Sequence, residues 1–165
     1  MTRALNVVLG VIVVVLVGWL VAFAVHGSVA APGQTPAEQQ AHELAAIRQA
    51  ARSEAVAFQT IDYRRMDQTR DRVLAGATGK FKKQFKSAKA LDPGVIGQKV
   101  VAKGYIREIG IGTFDDDSAT VFVAGGSNVR SKDTHGEVRR LVSRLRFDMT
   151  KVGDHWLVSN VEPVG

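Results

Sequence analysis

The sequence predicts an α+β protein in which a single N-terminal transmembrane helix precedes helices packed on a curved antiparallel sheet. Three observations predict it. Residues 5–25 carry no charged side chain, and between Thr35 and Leu91 apolar residues recur at three- and four-residue steps. From Val100 onward the apolar period changes to two. Helices first and strands afterwards is the order that places helices on one face of an antiparallel sheet.

The run from Leu5 to Val25 has Asn6 as its one polar side chain, near one end. At about 1.5 Å rise per residue, roughly twenty such residues cross a hydrocarbon core about 30 Å thick. Valine is a poor helix former in water, but in lipid every backbone N–H must be satisfied within the segment, and a helix does this. Arg3 and the small residues Ser28-Val29-Ala30 also suit a cleavable signal peptide. The apolar core of such a peptide is typically about 7–15 residues, so the greater length here favours an uncleaved signal-anchor. Arg3 precedes the run and no further Lys or Arg follows until Arg48. By the positive-inside tendency the N-terminus stays cytoplasmic and the C-terminal domain is extracytoplasmic, held at the plasma membrane by a single pass. The expected organisation is therefore 1–26 as cytoplasmic stub and anchor, 27–34 as a Gly/Ser/Ala/Pro neck, and 35–165 as one exported α+β domain.

Thr35-Pro36-Ala37-Glu38 opens the first helix, with Thr as N-cap, Pro at the first helical position and Glu placed for a capping box. Leu44, Ile47, Ala51, Ala55, Phe58 and Ile61 form its apolar stripe, and Glu43, Arg48, Arg52 and Glu54 are expected to face elsewhere. Alanine supplies much of that stripe, so another backbone can approach closely, and the protein's own sheet is the expected partner. The pattern breaks around Asp62-Tyr63. A second helix is expected from Asp67 to Gly76 and a third from Thr78, with Phe81, Phe85 and Ala88 on one face. The third is expected to stop at Leu91-Asp92-Pro93-Gly94, because proline disfavours helical geometry in the residue before it.

Four strands follow: Val100–Ile111, Ala119–Ala124, Arg139–Val152 and Trp156–Val161. Leu145, Phe147 and Met149 alternate with Arg144, Arg146, Asp148 and Thr150, which predicts one buried and one wet face. The first strand changes phase near Arg107 and Glu108, where a bulge would bend the sheet. Asp115-Asp116-Asp117-Ser118 and Gly153-Asp154 supply hairpin turns, and Gly125 to Val138 reads as a long polar connection.

The order of an N-terminal anchor, an Ala-rich helix ending in Phe58-Gln59-Thr60-Ile61-Asp62-Tyr63, the run Val73-Leu74-Ala75-Gly76-Ala77-Thr78-Gly79-Lys80-Phe81 with Phe85, and a closing Trp156-Leu157-Val158-Ser159-Asn160-Val161-Glu162 resembles the Mce-associated membrane proteins. The resemblance covers nearly the whole chain. It implies a bacterial single-pass protein whose exported domain has the nuclear transport factor 2 and ketosteroid isomerase fold, a cystatin-like cone. It also implies a non-enzymatic accessory subunit that supports assembly or stability of an Mce-type lipid or sterol import complex in the cell envelope, with transporter subunits as partners. No catalytic residues come with that family.

The residues themselves give little chemistry. Asp62, Tyr63, Tyr105 and Asp148 are the loose candidates for an isomerase-like acid and base, and strand parity puts Asp148 on the wet face. His26, His42, His135 and His155 are scattered, and Asp115 to Asp117 lacks the ligand spacing of a calcium loop, so neither a metal nor another cofactor is expected. There is no cysteine, hence no disulfide and no thiolate chemistry. Net charge is +6 and the excess lies between Arg64 and Arg107. Outside the membrane such a patch suits anionic headgroups or an acidic partner rather than nucleic acid. Lys82, Lys83, Lys86 and Lys89 are the candidate contact. Phe58, Tyr63, Phe81, Phe85, Phe147 and Trp156 are expected to converge beneath the sheet, as plain core or as the lining of a pocket for an acyl chain or sterol. The alternative function is a stand-alone exported lipid-binding domain that uses this pocket.

Overall fold

The protein is seen here as a computed structural model that describes residues 35–165. The expected stub, span and neck at 1–34 lie outside the described residues. Among the described residues no helix is long and apolar enough to cross a membrane.

The first helix, α1, runs Pro36–Phe58. Its start is the expected capping box: the Glu38 amide donates to Thr35 Oγ1 at 3.2 Å, and the Thr35 amide donates to Glu38 Oε2 at 2.7 Å. Ile47, Ala51 and Ala55 are fully buried along one face. That face also holds the two acids expected to point away. Glu54 is 3% exposed, and Glu43 is half-buried beneath Trp156 and Lys151. Helical geometry explains the correction, since residues 43, 47, 51 and 54 follow three- and four-residue steps and share one stripe. Ile61 is not part of the helix but of a two-residue strand, β1, at Ile61–Asp62.

A 3₁₀ turn, Tyr63–Arg65, leads into α2, Met66–Gly76, and then α3, Gly79–Ser87. The third helix was expected to stop at the Asp92-Pro93 pair. Instead it passes through a 3₁₀ turn, Ala88–Leu91, into a short helix α4, Asp92–Gly97. Asp92 itself is right-handed helical, with φ −56° and ψ −40°. Pro93 lies in the first turn of α4, where its missing N–H would lack a helical partner anyway, so it starts this helix rather than ending the previous one.

Strands β2, Val101–Phe114, β3, Ser118–Arg130, β4, Arg139–Val152, and β5, His155–Pro163, complete a five-stranded antiparallel meander in the order β1-β2-β3-β4-β5. The register of β2 against β3 shifts between Ile106 and Glu108, leaving Arg107 as the expected bulge. A second shift between Ile111 and Thr113 was not foreseen. Irregularities of this kind bend a strand and increase its twist. The expected connection from Gly125 is a correction: Gly125–Arg130 continues β3, pairing with β2 along its whole length and with β4 as far as Val129. A Cβ on Gly125 would stand 2.4 Å from the Tyr105 carbonyl oxygen, and one on Gly126 1.9 Å from that of Leu141. The two glycines therefore permit close strand approach rather than marking a turn.

The concave face is closed by Val121, Val123, Leu145, Phe147, Met149, Trp156 and Val158 against Ile47, Ala51, Ala55, Val73, Ala77 and Phe81. Ala77 forms an isolated parallel bridge with Val158, and the Thr78 amide donates to the Val158 carbonyl at 2.8 Å, which ties the α2–α3 junction to β5. Residues Gln40–Gly165 form one compact unit.

Candidate functional site

The helices leave a cleft of about 260 Å³. The end of α1 contributes Phe58, and β1 with the residue before it contributes Thr60 and Ile61. From α2 come Met66, Thr69, Arg70 and Val73, one turn apart and on one face. Phe85 on α3 and Ala88, Asp92 and Val95 along the following turns close the far wall. Most of these surfaces are apolar, and all the lining residues except Val73 are half-buried, so the cleft opens to solvent.

Arg70 and Asp92 are the charged groups of the lining. Their side chains are 12% and 16% exposed, and the Arg70 Nη2 donates to Asp92 Oδ1. Arg70 Nη1 donates to the Phe85 carbonyl at 3.1 Å, and the guanidinium lies 5.5 Å from the centre of the Phe85 ring. Arg70 Nε is buried without a partner. This pair fixes α2 to the first residue of α4, across 22 residues of sequence.

The six aromatic residues expected to converge divide into groups. Phe58, Phe81 and Phe85 do meet, with ring centres 5.6–6.3 Å apart. Phe58 and Phe85 line the cleft. Phe81 and Phe147 are buried in the core, at 5% and 0% exposure. Trp156 is core too, its indole N–H donating to Glu43 Oε1 at 2.6 Å. Tyr63 stands apart on the 3₁₀ turn, with the Arg64 guanidinium 5.5 Å from its ring centre. The pocket thus lies among the helices rather than beneath the sheet, because Phe147, Met149 and Trp156 fill the concave face.

The loose acid–base candidates do not come together at the cleft. Asp62 caps the 3₁₀ turn and is held by Arg64 and Arg65 at 3.0 and 3.1 Å, and the Arg64 amide bond first, then its side chain, keeps this carboxyl below the usual range. Tyr105 donates to the Leu141 carbonyl and accepts from Arg140 Nε. Asp148 pairs with Arg146 at 2.9 Å on the wet face and accepts from the Asn160 amide. Among the described residues no three metal-ligating acids or histidines converge. Lys83, Lys86 and Lys89 are exposed and Lys82 is half-buried, and none of the four pairs with a carboxylate among the described residues.

A second special group was missed by the sequence. Glu54 Oε1 is buried with no hydrogen-bond partner, and desolvation pushes this carboxyl up to about 8. Its other oxygen presses on Gly76, where an added Cβ would stand 1.9 Å away. Glu54 is therefore mostly protonated at pH 7. It does not line the cleft, and at 3% exposure it meets no soluble substrate. The signal that could have found it is the small residue at the end of α2 opposite an acid on the buried stripe of α1. The Leu-Ala-Gly-Ala-Thr-Gly run is thus a packing motif, with Gly76 beside Glu54 and Ala77 against β5.

The fold is shared by several solved structures at low identity. The periplasmic domain of DotI matches at 16% identity over 73% of this chain and 94% of that one, with a TM-score of 0.59. An IcmL-like type IV secretion system protein from Legionella pneumophila matches at 16% identity, over 74% and 93%, with a TM-score of 0.56. A ketosteroid isomerase-like protein from Erwinia carotovora matches at 20% identity, over 74% and 97%, with a TM-score of 0.50. A secretion component and an isomerase-like protein share this architecture, so the likeness carries the nuclear transport factor 2-like fold and not a function. No curated protein sequence matches the chain. Residues 5–165 match the family described as uncharacterized protein Rv1363c/MT1408-like, and the chain belongs to that family.

Proposed function

We propose that the chain is a non-enzymatic, single-pass accessory subunit of the bacterial envelope that supports assembly or stability of an Mce-type lipid or sterol import complex. One observation carries this reading: an uncharged apolar run at 5–25 precedes a domain whose fold matches the periplasmic domain of DotI. A run of that length suits a membrane anchor, with the domain held outside the membrane. The resemblance of the Leu-Ala-Gly-Ala-Thr-Gly run and the closing strand to Mce-associated proteins supports an Mce-type transporter as the complex. The exposed lysines of α3 supply a surface for anionic headgroups or an acidic partner.

Affinity purification of the intact protein from its own membranes tests this. Co-recovery of transporter subunits supports it, and recovery of the protein alone overturns it. Extraction by alkaline carbonate, or resistance to protease added to spheroplasts, would remove the anchored, exported arrangement on which it depends.

The second reading, an exported lipid-binding domain working alone, is favoured by the open apolar cleft between the helices. Native mass spectrometry of the purified chain separates the two, since a retained lipid without transporter subunits favours the carrier.

A further inference from the structure

We infer that the cleft is a binding site for a neutral amphiphile, an unbranched chain of about ten non-hydrogen atoms ending in a hydroxyl group. This deepens the lipid-binding reading and holds whether or not the chain joins a transporter. Size sets how much of the chain the cleft can hold: a cavity of about 150 Å³ holds one benzene, so about 260 Å³ holds roughly ten such atoms. Wall chemistry sets the tail. Phe58, Met66, Val73 and Phe85 offer apolar surface from three helices, and the unbranched side chain of Met66 can adapt to an irregular occupant.

The polar end of the cleft sets the head. Arg70 is engaged through both terminal nitrogens, one on the Phe85 carbonyl and one on Asp92 Oδ1, and its unpartnered Nε is shut off from solvent. Asp92 lines the cleft at 16% side-chain exposure, and among the described residues the oxygen that takes a hydrogen bond is Oδ1, from Arg70. A wholly apolar occupant lying over Asp92 would leave Oδ2 without water and without a donor, which is unfavourable. A carboxylate head would face the Asp92 charge with Arg70 already neutralised by it. A hydroxyl donates to Asp92 Oδ2 and leaves the ion pair intact.

The test uses the intact chain in lipid nanodiscs and two diazirine-bearing ten-carbon probes, one an alcohol and one a carboxylate, with labelled peptides mapped by mass spectrometry. The alcohol probe is expected to label peptides that hold Phe58, Met66 or Phe85, and excess 1-decanol to suppress that labelling. The carboxylate probe is expected to label them roughly tenfold less, the factor that corresponds to about 1.4 kcal/mol. Asp92→Asn leaves the Arg70 cation uncompensated, and the preference should then shift toward the carboxylate. Val95→Trp and Met66→Trp fill the cleft from different helices, and each should abolish the labelling. Labelling indifferent to the head group, unaffected by 1-decanol, or confined to peptides away from the cleft overturns the inference. Failure to recover transporter subunits from membranes would leave this labelling unchanged, so the two readings fail separately.

Discussion

The dry interior under the sheet and the open cleft among the helices each hold acidic side chains taken largely out of water, and they treat them differently. Glu54, at 3% exposure, lacks a partner on Oε1, and burial raises its pKa to about 8, so it stays neutral by holding its proton. Asp92, at 16% side-chain exposure, forms an ion pair with Arg70. Glu43 is also paired, accepting from Lys151 Nζ at 2.7 Å and from the Trp156 indole at 2.6 Å, which hold it below the usual carboxylate range. An isolated buried charge is expensive, so an acid in this fold either finds a cation and remains charged or loses its charge. What decides is reach. Arg70 and Lys151 can meet their acids at the margin of the core, whereas Gly76 and the alanines of α1 bring no cation to Glu54.

Breaking the paired case should give the largest effect. Arg70→Met leaves Asp92 without its cation, and unfolding in urea should show a loss on the order of 3 kcal/mol. The double variant Arg70→Met with Asp92→Leu should recover most of that loss, because an apolar pair of similar volume removes the desolvation cost with the charges. If both variants lose the same stability, the pair is not what holds α2 to α4.

The unpaired case should respond to pH instead. Glu54 has a folded pKa raised from 4.5 to about 8, so the folded state binds more protons than the unfolded state across that interval. The stabilising contribution is present in full below about pH 4.5 and is lost as pH rises toward 8, by a few kcal/mol in all. Urea midpoints at pH 5 and pH 8 should differ more in the wild type than in Glu54→Gln, which cannot ionise. Equal pH dependence in the two proteins would mean that Glu54 finds a partner in solution.

Much of the scaffold around these groups was legible because it is local. The Thr35–Glu38 capping box, the alternation Leu145-Phe147-Met149, the Arg107 bulge and both hairpin turns each depend on a few adjacent residues. The cleft was legible only in part. Phe58 and Phe85 could be named as aromatic residues on helix faces, but the Arg70–Asp92 pair spans a fold that the sequence does not announce. Glu54 was assigned to the wrong face because charge was allowed to outweigh helical spacing, and Gly125-Gly126 became a loop because glycine at a close strand approach has the same composition as glycine in a turn.

Gly76 offers a smaller and more local way to sharpen the contrast. Gly76→Ala would set a Cβ 1.9 Å from Glu54 Oε2, and overpacking of this kind costs about 1–3 kcal/mol. In the Glu54→Ala background the same change should cost much less, since the colliding oxygen is gone. A double-mutant cycle in urea measures the difference, and additive losses would show that Gly76 is needed for its backbone rather than for the space it leaves.

Lys82, Lys83 and Lys86 of α3 and Lys89 of the 3₁₀ turn after it extend the comparison to charges that stay in water, and here the expected effect is smallest. Three of the four are exposed, so their worth lies in what approaches from outside rather than in the fold. Each lysine that reaches an anionic surface contributes about 1 kcal/mol, and the effect fades beyond a Debye length of about 10 Å at 0.1 M salt. The chain has no cysteine, so Gln84→Cys places a single fluorophore on α3 of the intact protein. In nanodiscs of anionic lipid at low salt, headgroup-bound quenchers should dim this label, and Lys82, Lys83, Lys86 and Lys89 replaced together by Gln should restore its brightness with little change in the urea midpoint. Raising the salt should act on the wild type as the substitutions do, because both remove the same attraction. Quenching that ignores salt and lysines alike would leave this helix as a solvated outer face.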